Sequence, residues 1–180
     1  MGLGCWNMNA AFLLLPFLAV RFGLMAALGR DALQRAAHFA PMQGAQRVAL
    51  VIYQVSNGAI FLGLFFFQVQ PAAAWWFLGG AVCYLAGLGL CAAAVASFAS
   101  PGRLGLNTAG AYRFSRNPMY AAYFICFLGM ALLAKSPFLA GAVLVFQLSA
   151  RWLVLAEERW CEEIFGEEYR QYKKQVRRWL

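Results

Sequence analysis

Residues 48–102 read VALVIYQVSNGAIFLGLFFFQVQPAAAWWFLGGAVCYLAGLGLCAAAVASFASPG, 55 positions without a single Asp, Glu, Lys or Arg. A helix rises about 1.5 Å per residue, and about 20 apolar residues cross the hydrocarbon layer of a bilayer. The run is therefore too long for one crossing and long enough for two. Its turn falls at Gln68-Val69-Gln70-Pro71, where polar side chains and a proline coincide.

Working outward, residues 1–20, 117–134 and 136–150 also carry no charge. Together these gaps predict five spans, near residues 10–28, 48–68, 72–99, 119–134 and 138–156. The last two are separated by Lys135-Ser136-Pro137, a junction that suits a tight helical hairpin. Strand-type alternation is missing, so a barrel is not expected. The expected fold is an all-α polytopic membrane protein, one domain over residues 1–180, with a C-terminal amphipathic helix at the interface.

Composition agrees. Of 180 residues, 63% are hydrophobic and 12% charged, which cannot cover the surface of a water-soluble monomer or sustain a disordered chain. The net charge of +8 is confined to patches, unlike the spread charge of a nucleic-acid module, so no nucleic-acid partner is expected. Thirteen of the 15 basic residues fall in three regions: between spans one and two (Arg30, Arg35, Arg47), between spans three and four (Arg103, Arg113, Arg116), and from Arg151 onward. An odd number of spans brings these regions to one side, and the positive-inside rule makes that side cytoplasmic, with the N-terminus outside. The N-terminus lacks a basic n-region, so span one reads as retained, and a bacterial inner membrane is the expected location.

Cys5, Cys83, Cys91, Cys126 and Cys161 form no CxxC pair, and His38 is the single histidine, so no metal site is expected. The cysteines read as small packing residues, and a Ser-His-Asp triad has no support. Arg21 is the one charge inside a span, roughly 10 Å of helix from its basic end. It suits either snorkelling to the interface or a place in a buried site. Gly79, Gly80, Gly87 and Gly89 suit close helix packing in span three.

The chemistry-bearing residues cluster in two segments on the basic side. Residues 100–120, SPGRLGLNTAGAYRFSRNPMY, gather Tyr112, Arg116, Asn117, Pro118 and Tyr120 immediately before span four. Pro118 fits a first helical turn, with Asn117 as its cap. Residues 151–178 hold Arg151, then Glu157 and Glu158, and six of the seven acids lie from Glu157 to Glu168. An acidic pair there opposes both the helix macrodipole and the anionic leaflet, which points to a cationic partner. From Phe165 onward, the side chains Phe165, Tyr169, Tyr172, Val176 and Trp179 share an arc of about 80°. Their spacing predicts an amphipathic helix lying on the membrane and closing over the loop, with its basic residues toward headgroups. Arginines, glutamates and aromatic rings thus converge at one membrane–water boundary, which suits a zwitterionic, partly aromatic cofactor and an acceptor arriving through lipid.

The series G-A-Y-R-F-S-R-N-P-M-Y from Gly110, then R-x5-E-E from Arg151 and F-G-E-E-Y-x-x-Y-x3-V-R from Phe165, resembles the isoprenylcysteine carboxyl methyltransferase and phospholipid methyltransferase superfamily. The resemblance covers roughly the last 80 residues. It implies an integral membrane methyltransferase using S-adenosyl-L-methionine. By position, it implicates Tyr112, Arg116, Asn117, Pro118, Tyr120, Glu157 and Glu158 in cofactor binding, with Gly87 and Gly89 nearest to a glycine motif of the preceding span. Glu157, Glu158 and Arg151 become the catalytic candidates. The carboxyl methyltransferases read Arg-His-Pro where this chain has Arg116-Asn117-Pro118, and asparagine cannot shuttle a proton near pH 7. That departure leans away from prenylcysteine and toward phospholipid amines, with an isoprenoid carboxylate or a small thiol as other acceptors. A reductase related to the sterol reductases and a non-catalytic membrane protein are the competing readings. No internal repeat of the carrier type is found, and the partners expected are membrane lipids and a lipophilic substrate.

Overall fold

Proline marks where two of the helices begin. In the computed structural model, which describes residues 8–28, 40–70, 75–100 and 105–179, Pro118 and Pro137 each occupy the first turn of a helix. A missing N–H costs nothing there. Five apolar helices result: α1 (Ala10–Leu28), α2 (Ala45–Leu64), α3 (Trp75–Ala99), α4 (Pro118–Leu133) and α5 (Pro137–Gln175). All but α4 are long and apolar enough to cross a membrane, and α4 has 16 residues. No strand occurs among the described residues beyond an isolated bridge between Asn9 and Gln68. The chain is an all-α protein of the polytopic membrane type. Cys5, Arg30, Arg35, His38, Pro71 and Arg103 lie outside the described residues.

The hairpin between α4 and α5 is as tight as its sequence suggests. Lys135 takes a positive φ of 48°, and the Ser136 hydroxyl accepts from the Leu139 N–H at 3.3 Å to cap α5. Past residue 156, where the fifth span was expected to end, the helix continues to Gln175, because nothing between Ala156 and Gly166 breaks it. At Gly166 the backbone turns to φ 53° and ψ −123°, a region that side chains disfavour, and the helix kinks. The apolar part of α5 therefore ends near Ala156, and the remainder projects beyond the bundle. Val176 is already extended, so Val176 and Trp179 leave the helical face the periodicity assigned to them.

In lipid, hiding an apolar side chain gains nothing, so close fit and internal hydrogen bonds hold helices together. Val51, Val55 and Leu62 on α2, Leu78 and Val82 on α3, and Leu144 and Leu148 on α5 are exposed, as lipid-facing positions should be. Inside, α3 and α4 run antiparallel at very close range. Gly80 meets Leu132 and Leu133, Gly87 meets the Cys126 backbone, and Gly129 meets the Tyr84 backbone. The Tyr84 hydroxyl donates to the Leu13 carbonyl at 2.8 Å and ties α1 to α3. Phe17, Phe61, Phe127 and Phe146 interlock at the centre, edge to face except for the tilted Phe17–Phe127 pair. Cys91 and Cys126 are fully buried there as packing residues, as expected of them.

Candidate functional site

The ends of the helices that carry the basic residues enclose a cavity of about 690 Å³, a volume typical of small-molecule sites. Tyr112, Arg116 and Asn117 come from the loop, Tyr120 and Tyr123 from α4, and Glu157 and Glu158 from α5. Of the seven cofactor candidates in the two segments, all but Pro118 thus meet in one place. The loop is held by the part of α5 beyond Gly166. Tyr169 and Tyr172 pack on Leu106, and the Tyr172 hydroxyl donates to the Tyr112 carbonyl at 2.7 Å. The apolar face of this last segment thus covers the loop.

The two glutamates have different surroundings. Glu158 is 4% exposed and saturated. Arg178 grips it with Nε at 3.1 Å from both oxygens and Nη2 at 2.9 Å. Arg116 Nη2 stands 3.4 Å away, as does the Asn117 amide nitrogen. Glu157, in contrast, accepts one hydrogen bond, from the Tyr120 hydroxyl at 2.7 Å, and no cation among the described residues pairs with it. It stands just past the apolar part of α5. Burial pushes its carboxyl up to about 7, the Tyr120 hydrogen bond opposes that rise, and the neighbouring Glu158 charge adds to it.

Arg116 spends only part of its guanidinium. Its side chain is 8% exposed, and its Nε and Nη1 are buried without a partner. Asn107 Oδ1 is buried and unpartnered as well, and it lines the same cavity. Buried polar atoms left open cost free energy unless something binds them, so these three atoms outline the polar demands of a ligand.

Other expected residues stand elsewhere. Arg151 is exposed and does not line the cavity, because it sits almost two turns before Glu157 on the lipid-facing side of α5. Gly87 lets α4 approach, and a Cβ there would collide with the Cys126 backbone; Gly89 faces open space. Neither lines the cavity, and of the two only Gly87 serves the helix pair in this structure. Pro118 is buried as the start of α4. Asn117 precedes it with φ −131°, but its side chain makes no helix cap. Its amide instead donates to Glu158 and to the Arg178 carbonyl at 3.2 Å.

Several residues that build the site had no signal in the sequence. Arg178 belongs to a basic run that pointed to lipid headgroups, and its grip on Glu158 depends on the chain turning back after Gln175. There the Arg177 carbonyl accepts from the Arg116 N–H at 2.8 Å, and the Arg178 carbonyl from the Ser115 hydroxyl at 3.2 Å. Tyr53 and Asn107 line the cavity from segments outside the two flagged ones or unremarked within them.

No curated protein and no solved structure matches the chain. Its apolar helices make it an integral membrane protein. Residues 88–168, which include the loop and both glutamates, match the family model described as phospholipid methyltransferase, in keeping with the superfamily resemblance of that segment.

Proposed function

We propose that the chain is an S-adenosyl-L-methionine-dependent methyltransferase acting on a lipophilic acceptor, with its single domain spanning residues 1–180. One observation carries this reading. In one cavity, a carboxylate without a cation among the described residues, Glu157, accompanies a guanidinium with two unengaged nitrogens, Arg116. The amino-acid end of the cofactor presents the complementary pattern, an ammonium for Glu157 and a carboxylate for the Arg116 fork. Asn107 Oδ1 suits a ribose hydroxyl or the adenine amine. Glu158 acts through Arg116, whose orientation it sets.

When bound, this cofactor supplies a methyl group on a sulfonium, and an in-line displacement then asks the protein mainly for alignment and a dry site. Tyr112 and Tyr120 offer ring faces for the positive sulfur. Tyr123 is less available, since the Arg21 guanidinium already lies 5.4 Å from its ring centroid. In its carboxylate form Glu157 can also take the proton that an amine acceptor must lose. A carboxylate or thiolate acceptor makes no such demand. The positive-inside rule reads the cavity end as cytoplasmic, and a bacterial inner membrane fits this topology.

The test is calorimetric binding of S-adenosylhomocysteine to the full chain in non-ionic detergent, followed by labelled-methyl transfer into a lipid extract. Glu157→Gln keeps the Tyr120 hydrogen bond but loses the charge, and should lower affinity at least tenfold. Equal affinity of the variant removes Glu157 from the cofactor site, and no binding to the unaltered chain removes the cofactor.

A further inference from the structure

Arg21 has no role in the cofactor site described above, and it lies outside residues 88–168 of the family match. It stands in the middle of a π-helical turn, Ala19–Leu24, within α1. Such wide turns are uncommon and occur often at functional sites. The side chain lines the same cavity as Glu157, deeper in the bundle. Its neighbours on the wall, Tyr53 and Tyr123, are about 12 Å along α2 and about 7 Å along α4 from the helix starts.

Among the described residues, the contacts of Arg21 are those of a cation without an anion. Its guanidinium lies 5.3 Å from the Phe22 ring centroid and 5.4 Å from that of Tyr123. Its Nη1 reaches the Met25 sulfur at 3.4 Å. No carboxylate among the described residues pairs with it. Ring faces and a thioether only partly replace water around a guanidinium.

Charge arithmetic in the cavity points the same way. Among the described lining residues, Arg21 and Arg116 face Glu157 and Glu158, so the charges balance before a ligand enters. A sulfonium cofactor adds a net positive charge, and its one carboxylate already has the Arg116 fork. The remaining ligand must then bring the anion.

We propose that Arg21 binds an oxyanion, phosphate or carboxylate, carried by the lipophilic acceptor, and so selects acceptors with a negative group near the methylated atom. This rests on the methyltransferase reading for the word acceptor, although the oxyanion site itself can be tested without it.

The experiment titrates the full chain in dodecyl maltoside at pH 8 with dodecyl phosphate, dodecanoate and dodecanol, and separately with S-adenosylhomocysteine. The expected result is at least tenfold tighter binding of one or both anionic amphiphiles than of dodecanol. The two anions distinguish a phosphate from a carboxylate acceptor. Arg21→Gln should erase that preference, Arg21→Lys should retain part of it, and both should bind S-adenosylhomocysteine within twofold of the unaltered chain. That unchanged affinity also shows that the variants are folded. The proposal is overturned if the unaltered chain does not prefer the anions, if Arg21→Gln keeps the preference, or if Arg21→Gln loses the nucleoside and the anion together. If the unaltered chain binds no nucleoside but Arg21 still governs the anions, the methyltransferase reading fails and the oxyanion site stands.

Discussion

At the scale of single residues, Glu157 decides most. Its carboxyl is held near 7 by burial, so proton and ligand compete for it in the physiological range. Two consequences have opposite signs. A carboxyl raised above its unfolded value stabilises the ligand-free fold below about pH 4.5, and that contribution is lost as pH rises through about 7. Binding of an ammonium needs the carboxylate, so affinity for S-adenosylhomocysteine should rise between pH 6 and 8, approaching tenfold per unit below the pKa. Melting of the free protein and calorimetry across that range check both trends, and in Glu157→Gln both should flatten. A pH-independent affinity would mean that Glu157 does not meet the ammonium. Reading Glu157-Glu158 as an acidic pair awaiting a cation was possible from position alone. Which of the two is already neutralised was not, because Arg178 reaches Glu158 from 20 residues away at no helical spacing.

At the scale of elements, the α3–α4 pair and the kinked α5 set the cavity. Gly87 and Gly89 of span three separate packing from ligand binding. Gly87→Ala places a methyl group against the Cys126 backbone and should cost about 1–3 kcal/mol, as overpacking generally does. Gly89→Ala meets open space and should leave both melting temperature and nucleoside affinity unchanged. If Gly89→Ala lost the nucleoside while staying folded, the glycine pair would belong to the cofactor site after all. Helix starts were legible here because proline and serine act locally: Pro118, Pro137 and Ser136 sit where their chemistry puts them. The end of α5 was harder to read, since Glu162, Glu163 and Glu167 signal solvent without breaking a helix.

At the scale of the whole molecule, the chain's last residues close the site. Val176 to Trp179 run back across the loop, so that Arg178 bonds Glu158 and two carbonyls receive Arg116 and Ser115. Removing residues 176–180 should leave Glu158 buried with only Arg116 and Asn117 as partners, each at 3.4 Å. Hydrogen bonds to charged groups contribute about 1.5–3 kcal/mol, and the third of Arg178 left exposed puts the loss at the lower end. The truncated chain should melt earlier in detergent and bind S-adenosylhomocysteine more weakly, and unchanged values for both would show the tail to be passive. By itself the sequence determined the helical membrane class, the placing of its apolar runs and the segment where chemistry collects. Those depend on residue counts against bilayer thickness and on the rarity of charge, which are local quantities. Only the tertiary structure decided which glutamate is free, that Arg21 and Tyr53 share the cavity, and that Arg178 leaves the lipid-facing role of its neighbours. Such pairings join groups far apart along the chain, and no local periodicity encodes them.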